Sequence, residues 1–239
     1  MRRAGVLVVV VALQITACGQ GDTEASRPTA GKRPDEAPRA TIAQGLRTAG
    51  KAIEADIVMR RGSRVTRVSA PFLRAWRIYQ VDGYTDDPRP VWFRVGVDNN
   101  TQAVLLLSGD PAAFNKMTKA GGVRVTNKAT AMRLGRTFIR TTRPVQKFTY
   151  IVGHVDQIRF RPNLSGAEAR RRDRLVKRYA RVVAPPKAVA DGEGFEVTAH
   201  VVVLSDNVLQ RRTLEAAADG RVRQRAKTLA REVPLPWVL

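Results

Sequence analysis

The chain holds one cysteine, Cys18, and that residue sets the first constraint on its fold. No disulfide can form within the chain. Whatever folds here is held by a buried apolar core, and 239 residues are enough for one good core or two small ones. Cys18 also stands at the exit of an unusual N-terminal stretch. Arg2 and Arg3 supply cations, and residues 4–13 are apolar apart from Gly5, with the unbroken run Val6-Leu7-Val8-Val9-Val10-Val11. A charged start, a short apolar stretch and a small-residue exit make secretory signal architecture. The run is too short to cross a bilayer, which needs roughly 20 residues.

The exit reads Ile15-Thr16-Ala17-Cys18-Gly19. This resembles the lipobox of bacterial lipoproteins, in which an aliphatic residue and two small ones precede a cysteine. The resemblance implies that residues 1–17 are a signal peptide, that the Cys18 sulfur receives a diacylglycerol, and that the chain is cut before Cys18. It is confined to this N-terminal segment and carries no information about the fold downstream. A lone thiol in an oxidising compartment is otherwise a liability. The expected location is the cell membrane or the outer membrane, outside the cytoplasm, with the membrane as a partner through acyl chains.

Residues 19–40 contain Pro28, Pro34 and Pro38 and have no aromatic or large aliphatic side chain. Such a segment cannot bury enough apolar surface to offset its ordering entropy. The expectation is a lipidated Cys18 and disordered tether over 18–40, followed by a globular body over 41–239.

Within the body, the spacing of Ile42, Leu46, Ala49, Ile53 and Ile57 predicts one helix over 41–61. Strands are expected at 72–81, 91–97 and 102–107, with turns at 82–88 and at Asp98-Asn99-Asn100. Asp110-Pro111 opens a helix, and Thr126 is positioned to cap another from 127 to about 141. One long strand or two shorter ones are expected over 147–160. Ser165 and Glu168 form a capping box for a helix to about 181. Residues 184–194 read as a linker or long loop. Strands at 195–204, 208–216 and 221–232 follow, and the apolar C-terminal tail is expected to pack on the body. The fold class is therefore α+β: antiparallel sheet built from two three-stranded meanders with packed helices. Whether the halves 41–143 and 144–239 are a duplication stays open at this point.

No glycine-rich phosphate loop and no nucleophile elbow occur in the sequence. His154 and His200 fall in separate apolar stretches and suggest no metal site. Asp86-Asp87, Asp22 with Glu24, and Asp191 with Glu193 lie in turn or tether composition and read as solvated acids. No catalytic residue, metal or cofactor is expected from these patterns. Trp76, Trp92 and Phe93 are pocket linings under one reading and core under another.

The basic residues say more. The formal net charge is +21, of which Arg2 and Arg3 supply two. Arg170, Arg174, Lys177, Arg178 and Arg181 share one helical face, with Leu175, Tyr179 and Val182 as the complementary apolar stripe. Arg221, Arg223, Arg225 and Lys227 recur at period two, which places them on one side of a strand. These cations are expected to face water or an anion. Export leaves nucleic acid out of reach and points to anionic headgroups, anionic envelope polymers or an acidic protein. The expected function is a non-enzymatic binding or assembly module of the envelope. The alternatives are a small-ligand-binding α+β domain and an envelope hydrolase whose site does not show in sequence.

Overall fold

Helix α1 (Glu36–Thr48) and helix α2 (Ala52–Met59) occupy the stretch whose spacing predicts a single helix. The break lies at Gly50, which takes φ of +71°, a left-handed conformation that a Cβ disfavours. The computed structural model describes residues 36–85, 90–145 and 147–236. The signal peptide, Cys18 and residues 19–35 lie outside these described residues. Helix α1 starts inside the segment read as tether, so residues 36–40 belong to the helix. The anchor is Ile42, Ala43 and Leu46, all buried, from which helical turns extend backwards.

The first sheet contains four antiparallel strands in sequential order, not three: β1 (Arg64–Val68), β2 (Trp76–Tyr84), β3 (Pro90–Asp98) and β4 (Val104–Leu106). β1 escaped the sequence pattern because its sequence, RVTRV, buries only Val65 fully. Residues 72–75 form a turn rather than strand, and β2 continues through the expected turn to Tyr84. Asp86 and Asp87 lie outside the described residues. The turn after β3 forms as expected, with the Asp98 carboxylate accepting from the backbone N–H of Asn100 (2.7 Å) and Thr101 (3.0 Å).

Helix α3 (Pro111–Ala120) is capped by Asp110, which accepts from the Ala113 N–H. Helix α4 (Lys128–Thr141) is capped by Asn127, one residue after the expected Thr126, through its acceptance from the Thr130 N–H. Between residues 147 and 160 only β5 (Thr149–Val152) is strand, and a 3-10 turn at Val155–Gln157 replaces the rest. Helix α5 (Gly166–Tyr179) carries the full Ser165/Glu168 capping box. The region read as a loop holds β6 (Lys187–Asp191), which pairs with β7 (Gly194–Val203). Strands β8 (Val208–Ala216) and β9 (Val222–Ala230) complete the second sheet. β5 and β6 share one edge of β7, β5 opposite residues 200–203 and β6 opposite 194–198.

The class is α+β, arranged in layers. Helices α1 and α2 cover one face of the first sheet, burying Val81, Phe93 and Val95. Helices α3 and α4 lie between the sheets, with Ile78 on one side and Val197, Ala199 and Val201 on the other. Close approach needs a small residue here: a Cβ on Gly135 of α4 would meet Val197 Cγ1 at 3.2 Å. Helix α5 covers one end of the outer face of the second sheet, where Leu175 and Tyr179 bury with Val202, Leu209 and the tail residues Val233 and Leu235. The third member of the helix stripe is Val183, not Val182, which is 43% exposed. Each sheet is thus a four-stranded meander preceded by a helix packed on it, with β5 added at an edge of the second.

Candidate anion-binding face

Hairpin register defines the outer face of the second sheet. β7 and β8 place Glu196 opposite Glu215, Thr198 opposite Thr213, His200 opposite Arg211, and Val202 opposite Leu209. β9 adds Arg223 opposite Glu215, Arg225 opposite Thr213, and Lys227 opposite Arg211. β6 adds Lys187 opposite Thr198 and Val189 opposite Glu196. Side chains two residues apart share a face, so these positions form rows about 6.8 Å apart. The row of Val202 and Leu209 is roofed by α5. Beyond that row the same face is polar; His200 is still covered, while Arg211, Arg223, Arg225 and Lys227 are open.

Helix α5 points its cations away from this contact. Arg170, Arg174, Lys177 and Arg178 are exposed, and none forms an ion pair with the described residues. Its other arginines hold the helix in place or pair locally: Arg171 reaches Glu232 (3.0 Å), and Arg172 binds Asp173 (2.8 Å). The Tyr179 hydroxyl donates to the Leu229 carbonyl of β9. In the capping box, hydrogen bonds from the Ser165 backbone and side chain hold the Glu168 carboxyl below the usual carboxylate range.

The expected strand row divides. Arg223 and Arg225 lie on the open face, with Arg225 bound to Glu215 at 2.6 Å. Arg221 precedes β9 and binds Asp219 at 2.7 Å instead. The Arg221 backbone N–H, more than its guanidinium, lowers the Asp219 pKa. Arg221 and Arg223 border a separate mixed-charge groove with Arg124, Asp191, Glu193 and Asp219.

Where the end of α5 meets the open face there is a groove of about 770 Å³, lined among others by Arg181, Lys187, Thr198, His200, Arg211 and Thr213. His200 is 5% exposed; its Nδ1 lies 3.2 Å from the Ala184 carbonyl, and its Nε2 has no partner. His154, the other histidine, is exposed beside the 3-10 turn.

A second cationic cluster is closed. On the α4-facing side of the first sheet, Arg94 donates to the Arg140 carbonyl (2.6 Å) and to Gln80 Oε1 (2.7 Å), and Gln80 donates to Asp82 (2.7 Å). Arg143 lies over the Trp92 ring, which meets Phe148 edge-on at 4.3 Å. Burial, then the nearby Arg94 charge, pushes the Arg143 guanidinium down to about 9. Burial and Arg140 lower that of Arg94. Trp92 is therefore a packing platform, while Trp76 and Phe93 are core.

No family model matches this chain, and neither the curated proteins nor the solved structures offer a match.

Sequence reasoning did not single out Lys187, Thr198, Arg211 and Thr213. The signal lay in the polar alternation Glu196, Thr198, His200 and Arg211, Thr213, Glu215. A register fixed at Val203 opposite Val208 sets those two runs face to face. β6 had no comparable signal, because its five residues bury only Ala188.

Proposed function

We propose that this chain is an exported lipoprotein, anchored through Cys18, and that its body is a binding or assembly module that meets an anionic surface of the cell envelope. One observation carries the binding part. Helix α5 and the open rows of the second sheet lie on the same side of the body, and Arg170, Arg174, Lys177, Arg178, Arg211 and Lys227 make no ion pair there with the described residues. Like charges in line repel, so such a face is at its lowest energy beside anions. The anchor rests on the resemblance at Ile15–Gly19 and brings the body to a membrane. Each cation near an anionic bilayer adds about 1 kcal/mol at most, and salt screens it.

The test uses the full chain carrying Cys18→Ser, so that no acyl chain confounds the measurement. Its binding to phosphatidylglycerol vesicles should exceed that to neutral phosphatidylcholine vesicles, fall with added salt, and weaken in Arg170→Glu/Arg174→Glu. Equal binding to both vesicles at low salt would remove the proposal. Metabolic labelling with an acyl analogue tests the anchor separately: the natural chain should take label and Cys18→Ser should not.

A further inference from the structure

The open face is not uniform. Three cations converge on the groove beside the end of α5: Arg181 follows the helix, Lys187 begins β6, and Arg211 lies on β8. None of the three forms an ion pair with the described residues, although seven ion pairs occur elsewhere among them. Between them, Thr198 and Thr213 stand directly opposite each other, half-buried, and neither hydroxyl has a hydrogen-bond partner among the described residues. His200, in the next row and almost fully buried, keeps one ring nitrogen unpartnered. The acids Asp191 and Glu196 line the same groove, Glu196 in the row next to Thr198. Three cations and two hydroxyls without an acceptor among the described residues thus share one concavity. A ring nitrogen as buried as His200 Nε2 is ordinarily satisfied, and the two half-buried hydroxyls beside it are open to a ligand.

We propose that this groove is a receptor for a phosphoryl group, carried on a small phosphate ester or on a lipid headgroup. The proposal rests on reading the face as anion-binding and adds a specific ligand to it. Three separate cations and two hydroxyl donors exceed what one planar carboxylate monoanion can use. They match a tetrahedral phosphomonoester, which carries close to two negative charges at neutral pH and three strong acceptor oxygens. The volume, about 770 Å³, leaves space for the group that carries the phosphate. No bond is made or broken; the groove binds.

The test titrates the full Cys18→Ser chain with inorganic phosphate, glycerol 3-phosphate and succinate by calorimetry. Phosphate and its ester should bind saturably and succinate should not. Thr198→Val/Thr213→Val keeps every charge and the side-chain shape. It should weaken phosphate binding about tenfold or more, as expected when hydrogen bonds to a charged group are lost. Lys187→Ala/Arg211→Ala, at exposed positions, should do the same and serves if the valine pair fails to fold. Arg170→Glu/Arg174→Glu should leave phosphate affinity nearly unchanged while weakening vesicle binding. Vesicles containing phosphatidate distinguish the sources: preference for them over glycerol 3-phosphate assigns a headgroup, and the reverse assigns a free ester. No saturable phosphate binding, equal binding of succinate, or unchanged affinity in both groove variants overturns the proposal. If the α5 reversal still weakens vesicle binding in that case, the broader face reading survives alone.

Discussion

Arg94 and Arg143 are shut between the first sheet and the end of α4, whereas Arg181, Lys187 and Arg211 stand open on the outer face of the second sheet. Each group joins strand cations, Arg94 on β3 in one and Lys187 and Arg211 on β6 and β8 in the other, to an arginine that follows a helix, Arg143 after α4 and Arg181 after α5. In the first sheet the group is covered. Trp92, Phe148 and the Arg143 stem close over it, and the guanidiniums donate to the Arg140 carbonyl, Gln80 and the Lys147 carbonyl, with the Arg94 Nε left buried and without a partner among the described residues. In the second sheet α5 stops at the Val202 row and the donors beyond it go unused. An arginine-rich composition therefore serves two ends in one chain, and the covering layer decides which. The comparison predicts that the first cluster governs stability and the second governs binding.

The largest effect should come from breaking the closed cluster. Arg143 is 4% exposed and covers an aromatic face, so Arg143→Ala uncovers Trp92 and Phe148 and leaves a void. A loss of about 2–3 kcal/mol is expected in urea unfolding, in the range of large-to-small substitutions at buried sites. Lys187→Ala on the open face should fall within about 0.5 kcal/mol of the natural chain. Equal losses at both positions would erase the distinction between the clusters.

A substitution that keeps the Arg143 stem and removes its charge separates packing from electrostatics. Arg143→Met should be closer to the natural chain than Arg143→Ala, because a desolvated cation beside Arg94 opposes folding while its stem favours it. The sign follows from the lowered pKa. In the folded chain this guanidinium releases its proton near 9, and in the unfolded chain at its ordinary higher value, so the unfolded state holds more protons between the two. The penalty is fully present below about pH 9 and declines above it. Stability of the natural chain relative to Arg143→Met should therefore rise as pH increases from 7 to 10. A constant difference would show that the charge carries no folding penalty.

The two clusters also differ in how far the sequence showed them. The second sheet was legible where its strands are long and bounded by Asp- and Asn-containing turns, as in β7 to β9, and where the Ser165/Glu168 pair marks a helix start. β1 and β6 were not legible, since five residues with one fully buried side chain give no clear period. The cations of α5 follow from helical spacing alone. The groove needs β6 and a crossover that brings Arg181 beside it, and both are tertiary facts. The closed cluster was invisible for the same reason: Trp92 and Arg94 are neighbours on one face of β3, but Arg143 lies far from them in the chain, and its burial contradicts what its side chain ordinarily prefers. The stripe assignment of Val182 failed because the chain has left the helix by Ala180, where strict spacing no longer applies.

A middle-sized effect tests whether α5 is the roof that makes this division. Tyr179 is buried and its hydroxyl donates to the Leu229 carbonyl. Tyr179→Phe keeps the ring and loses that bond, which should cost about 1 kcal/mol and raise amide exchange along α5 relative to α4. Uniform exchange across both helices would mean that α5 is held by other contacts.

The smallest effect is the most specific to the open face. Arg211 and Lys227 are direct cross-strand partners, and neither has an acid to pair with among the described residues. Like charges directly opposite on a sheet destabilise it. Arg211→Thr removes one of them and substitutes a residue that suits a strand. Two contributions then stabilise the variant, and salt tells them apart, because strand preference is insensitive to ionic strength while repulsion between exposed charges is screened within about 8–10 Å. At low salt Arg211→Thr should be more stable than the natural chain by a few tenths of a kcal/mol, and part of that gain should vanish near 1 M salt. The closed cluster should show no such salt dependence, since Arg143→Met removes a charge that ions cannot approach. A natural chain that gives up stability to hold Arg211 opposite Lys227 is consistent with a face kept for an anion. A variant that is less stable at every ionic strength would instead make Arg211 a structural residue, and the contrast between the two clusters would fail at its open end.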